Sequence, residues 1–164
     1  MTSRVVIFQM RDVAKLLKAN RFTLNRLMLR CDIETSVGSR AGRGSRILFA
    51  IEDVCRLALA YWLFRSGLRT PAIKNALANK NLISVLGELT DIDAARNSAS
   101  LNEFLVTWRT VKAKKVVQEV RLEADVVGIA EILIQEHQFG FVVIPFQRLL
   151  TELTNEIWES CIAE

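Results

Sequence analysis

Histidine occurs once in the 164 residues, at His137. One imidazole cannot furnish a Ser-His-Asp triad, a second-histidine relay or a multi-histidine metal site within a chain. On an apolar-rich stretch it is expected to be structural or superficial. Cysteine is scarce as well: Cys31, Cys55 and Cys161 are far apart, odd in number and form no CxxC pair. That argues against a disulfide framework and a structural zinc site and suits a reducing cytoplasm. Cys31 and Cys55 are expected to act as small apolar residues. No glycine-rich phosphate-binding motif occurs. Asp91 and Asp93 stand close together, but on a polar connector, where solvation or capping is the expectation. No catalytic residue, cofactor or metal ligand is assigned, and an enzyme is not expected. No run of about eighteen apolar residues is present, so no membrane span is expected. The opening MTSRVVIFQMRDVAKLL has no long apolar stretch before a small-residue cleavage site, so export is not expected.

What is present suits a folded protein of one good-sized domain or two small ones: 51% of residues are hydrophobic and 24% charged. The net charge of +4 hides an asymmetry. Residues 1–76 hold 14 Lys and Arg against 5 Asp and Glu, whereas residues 77–164 hold 8 against 13. A basic half joined to an acidic half is expected where only the first meets a polyanion such as DNA.

The apolar run Val5 to Phe8 suits a short strand or the lead-in to a helix. From Met10, the positions Met10, Val13, Ala14 and Leu17 follow helical spacing. Asn20 is an expected N-cap for a second helix, with Thr23 three residues on. There Leu24, Leu27 and Met28 share one face, and Arg21, Phe22, Asn25, Arg26 and Arg30 lie largely on the other. Two short helices across a tight turn form a helix-turn-helix pattern. Its second helix suits a major groove, where Arg binds guanine and Asn binds adenine by paired hydrogen bonds. The segment Ser36 to Arg46 then interleaves Gly38, Gly42 and Gly44 with Arg40, Arg43 and Arg46 before Ile47-Leu48-Phe49. Its glycines suit a hairpin, or wing, and its arginines suit phosphates or a minor groove. Apolar residues at 54, 57, 61 and 64 mark a third helix that starts near Asp53 and stops at Gly67. Pro71 opens a fourth, with Thr70 as its expected cap.

With these residues in place, a family resemblance can be stated. Residues 12–27, DVAKLLKANRFTLNRL, resemble the opening of MerR-family regulators, with Asp12, Val13, Ala14, Leu16, Thr23 and Leu24 in step without a gap. Residues 53–73 resemble that family's third and fourth helices through Asp53, Val54, Leu57, Leu63, Gly67, Leu68 and Ile73. The resemblance covers about the first 76 residues and implies a winged helix-turn-helix that binds double-stranded DNA. Asn25-Arg26 stand where the family has Arg-Tyr, so base preference does not carry over. Lys18 stands where the family often has glycine, and Arg46 lies one residue farther from Phe49 than the family's wing arginine.

The long dimerising coiled coil of MerR regulators has no counterpart in the second half. Leu77 to Leu89 suits a short helix or a strand, and Asp91 to Asn102 reads as a connector. Phe104–Val111 and Val116–Leu122 suggest a hairpin, Asp125 a capped helix to about Gln138, Phe141–Ile144 a buried strand, and Pro145 the start of a last helix. In that helix Leu149, Leu150, Leu153, Ile157 and Trp158 form an apolar face, more readily core than docking surface. The expected fold class is α+β: a MerR-like winged helix over 1–76, a connector over 77–100, and a small strand-strand-helix-strand-helix domain over 101–164.

The leading functional expectation is a dimeric, sequence-specific regulator of transcription in the cytoplasm. Residues 101–164 would bring two copies together or engage a protein partner or small-molecule effector. One alternative is an architectural DNA-binding protein of the excisionase or partition kind. Another is an interaction module that has lost DNA binding.

Overall fold

Two short strands and the helices that leave them set the frame of the first half. The computed structural model describes residues 7–37, 47–88, 104–112, 115–123, 126–135 and 141–162. Its first-half elements are β1 (Phe8–Gln9), α1 (Met10–Leu16), α2 (Arg21–Arg30), β2 (Leu48–Phe49), α3 (Ile51–Arg65), α4 (Thr70–Leu77) and α5 (Lys80–Glu88). Then come β3 (Phe104–Lys112), β4 (Lys115–Glu123), α6 (Val126–Gln135), β5 (Phe141–Ile144) and α7 (Phe146–Ile162). The class is α+β, with two small antiparallel sheets among the described residues, β1-β2 and β4-β3-β5.

β1 pairs with β2 in the register Phe8 with Phe49 and Gln9 with Leu48, and both phenylalanines are buried. Each strand runs straight into a helix whose third residue is an aspartate. The Gln9 amide donates to Asp12 Oδ2 at 2.9 Å and the Ala50 amide to Asp53 Oδ2 at 3.0 Å. A carboxylate there satisfies an amide the helix leaves without a partner and faces the positive end of the helix dipole. Residues 8–16, FQMRDVAKL, and 49–57, FAIEDVCRL, share Phe, Asp, Val and Leu at equivalent places, so this strand-helix start is a repeat.

The turns repeat as well. α1 and α3 each end on a left-handed residue, Lys18 (φ 47°) and Gly67 (φ 86°). In each case the next amide donates to a carbonyl five residues back: Ala19 to Ala14 at 2.9 Å and Leu68 to Leu63 at 3.1 Å. α2 ends in the same way at Asp32 (φ 52°), with the Ile33 amide on the Met28 carbonyl at 3.0 Å. This is the Schellman ending, in which glycine avoids the strain that a Cβ brings. Lys18 thus adopts the left-handed conformation that glycine most readily takes. A Cβ added at Gly67 meets nothing within 4 Å, so Gly67→Ala should cost backbone strain alone, about 1 kcal/mol or a Tm lowered by about 2–4 °C. Lys18→Gly should shift Tm upward by a smaller amount. Thermal unfolding followed by circular dichroism checks both signs, and an unmoved Gly67→Ala would contradict the account.

α3 is the central helix of this half, packed by α2, α4, α5 and β2. Its buried residues Val54, Cys55, Leu57, Ala58, Leu59, Ala60 and Leu63 go all the way round the helix. The helix expected from the apolar residues at 54, 57, 61 and 64 is present, although Tyr61 is half-buried and Phe64 is 46% exposed. A helix enclosed by neighbours does not need a one-sided pattern. The cap of α4 is corrected. Arg69 holds the N-cap position without a side-chain bond, and Thr70 is already helical. Residues 80–88 are helix, which decides between the two alternatives for that stretch. The connector from 89 onward, with Asp91 and Asp93, lies outside the described residues, as do Asp125 and His137.

In the second half β3 and β4 pair antiparallel from Phe104 with Glu123 to Lys112 with Lys115, the expected hairpin. β5 adds to the other side of β3, from Leu105 with Ile144 to Trp108 with Phe141. The order β3-β4-α6-β5-α7 is the expected strand, strand, helix, strand, helix. Middle strand β3 is covered on both faces. Leu105 joins a cluster with Ile144, Phe146, Leu150, Leu153 and Ile157, while Val106 meets Ile129, Ile132 and Val143 beneath α6. Thr107 is fully buried, and its hydroxyl has no hydrogen-bond partner among the described residues.

The Leu105 cluster is continuous with the core around α3. α7 lies against α1, α4 lies against β4, and Lys18 Nζ meets Glu156 at 3.3 Å. The apolar face of α7 therefore points into the chain's own core, with Leu149 and Trp158 half-buried at its margin.

Candidate nucleic-acid interface

α2 has one face buried and one turned to solvent. Leu24, Leu27 and Met28 are buried, and α1 and α3 both pack against the helix. Asn20 caps it as expected: its side-chain oxygen accepts from the Phe22 amide at 2.8 Å, which fixes the first turn. The outward face then carries Arg21, Phe22, Arg26 and Arg30 exposed, with Thr23 and Asn25 half-buried beside them. The expected site residues of α2 are thus exposed or half-buried, and none belongs to the core.

Its charge is not neutralised by neighbours. Ion pairs take up Arg11, Lys18, Arg56, Lys74 and Arg148. Among the described residues no acidic side chain pairs with Arg21, Arg26 or Arg30. Exposed guanidiniums at the start of the helix (Arg21), in its middle (Arg26) and at its end (Arg30) are planar donor forks that fit phosphate oxygens or the O6 and N7 of guanine.

Arg40, Arg43 and Arg46 lie outside the described residues, but both ends of their segment are placed. Asp53 Oδ2 accepts from the Ser36 amide at 3.0 Å, from Ser36 Oγ at 2.8 Å and from the Ala50 amide at 3.0 Å. Asp53 itself is 1% exposed. One buried oxygen thus bonds Ser36, shortly before the arginine-bearing stretch, and Ala50, just past the strand that follows it. Sequence reasoning gave Asp53 only as a helix-start residue; a serine shortly before the glycines was the available sign of a second role. The far side of the expected wing is partly placed, since Leu48–Phe49 is strand, paired with β1.

No protein-family model matches the chain, and no curated protein matches it.

Both described cysteine side chains, Cys31 and Cys55, are buried and free of any disulfide. Burial pushes the Cys55 thiol up to about 12, with Glu52 adding to the effect. Burial also raises Cys31, with Asp32 contributing and Lys74 opposing. An upward shift makes each thiol a poorer source of thiolate than a free cysteine. Among the described residues no group of three or more His, Cys, Asp or Glu stands together as a metal site. No described helix is long and apolar enough to cross a membrane.

Proposed function

We propose that this chain is a sequence-specific DNA-binding regulator of transcription, acting as a homodimer in the cytoplasm through a MerR-type winged helix-turn-helix over residues 1–76. α1 and α2 form the helix-turn-helix. Asn25 and Arg26 read base edges, Arg21 and Arg30 take bases or phosphates, and Thr23 sits at the edge of the contact. Arg40, Arg43 and Arg46 reach the flanking backbone or minor groove. Residues 101–164 join two copies, because one helix-turn-helix binds weakly and symmetric operators are read by pairs. The same region is where a protein partner or small-molecule effector would act.

The observation that carries this reading is the exposure on α2 of Arg21, Arg26 and Arg30, none of which has an acidic partner among the described residues. The test is fluorescence anisotropy of duplexes from a random pool across a salt series. Arg26→Ala should weaken a selected site roughly tenfold, and Arg43→Ala should lower the salt slope by about 1. Unchanged binding in both variants would make the residue assignment wrong.

A second reading, an architectural DNA-binding protein, is favoured by one feature. α7 spends its apolar face on the chain's own core, which leaves it unsuited to a coiled coil. Strong bending and cooperative filling of repeated sites would select this reading over the first.

A further inference from the structure

We infer that Phe22 recognises the 5-methyl group of a thymine in the major groove, an inference that rests on the DNA-binding reading above. Phe22 is 81% exposed, so the fold makes no use of its ring, and a whole phenyl group is left in water. Its backbone is nonetheless held firmly, since its amide is the one bonded to the Asn20 cap. Side chains on a helix tilt toward its N-terminus, so a ring at the second position of α2 projects past the helix start. In helix-turn-helix docking that end of the second helix meets the base edges.

The groove offers such a ring little apolar surface. Phosphates and the donor and acceptor edges of the bases are polar, and the thymine methyl is the apolar group displayed among them. Arg26, one turn on, stands about 40° from Phe22 around the helix and is exposed like it; with exposed Arg21 at the helix start it would hold the duplex against the ring. Leu29 is the other exposed apolar residue of α2, at 60%. It stands seven residues on, about 10 Å farther along the axis, where a helix entering by its N-terminus has already left the base edges.

The experiment starts from duplexes selected by the wild-type protein from a random pool. In the selected site each thymine is replaced in turn by deoxyuridine, which differs only in lacking the methyl group. Wild type, Phe22→Ala and Phe22→Leu are titrated on every duplex by anisotropy. The exposed ring takes no part in the core, so both variants should fold as the wild type does. At one position deoxyuridine should weaken the wild type by about threefold to tenfold. The same change should leave Phe22→Ala unaffected and cost Phe22→Leu an intermediate factor. The assignment is overturned if no thymine responds, if Phe22→Ala responds as the wild type does, or if selection yields no defined site. A wild type that binds no duplex even at low salt would overturn the DNA-binding reading itself. That outcome is distinct from tight binding that ignores the methyl group.

Discussion

Asp53→Ala should destabilise the protein by about 2–4 kcal/mol, because three donors lose one buried acceptor at once. The Ser36 groups are at the surface and can turn to water, whereas Ala50 is half-buried at the start of the central helix. Most of the loss should therefore come from the Ala50 amide and from the helix end it caps. Asp53→Asn keeps the volume and one oxygen, so it should cost less than half as much. Urea denaturation of the two variants beside the wild type measures the difference. An alanine variant as stable as the wild type would show that the carboxylate does not hold the segment ends. Because those ends flank Arg40, Arg43 and Arg46, the alanine variant should also lose affinity for DNA at temperatures where it remains folded.

Phe146→Ala should have an effect of similar or greater size. The ring is among the largest fully buried side chains, in a cluster that joins Leu105, Ile144 and Ile157 to the residues around α3. Truncation of a buried phenylalanine to alanine costs about 3–5 kcal/mol through lost transfer energy and the cavity left behind. The decisive readout is the shape of the transition as much as its midpoint. A continuous core should unfold cooperatively, so Tm should fall by about 10 °C as one transition. Calorimetry that shows a separate, unshifted transition for the first half would contradict this.

Legibility in the sequence followed how far each element depends on its own residues. α2 was readable because its determinants are local: a capping Asn20, apolar residues at 24, 27 and 28, and cations between them. The β3-β4 hairpin was readable from two β-rich runs around Lys112 to Lys115, and Gly67 from the conformational freedom of glycine. α3 was harder, since which of its sides are buried depends on α2, α4 and α5 around it. The residues at 54, 57, 61 and 64 therefore showed that there is a helix but not that Phe64 stands half-exposed on it. Lys18 has no intrinsic preference for a left-handed backbone and Asp32 only a modest one; the hydrogen bonds that reach past them impose it. In the candidate site, the exposed side chains of α2 were legible one by one. The role of Asp53 was not, because it depends on Ser36 and Ala50 meeting across 14 residues of chain.

The repeat built on Phe8 and Phe49 also bears on where the chain can change length. The arginine-bearing stretch falls between the two copies, after α2 and before β2. Neither copy contains it, and the carboxylate of Asp53 ties its ends whatever number of residues lies between. The entropy of closing a chain segment grows only with the logarithm of its length. Residues inserted or removed there would change how far the arginines extend at little expense to the core, so reach and stability can evolve separately in this protein.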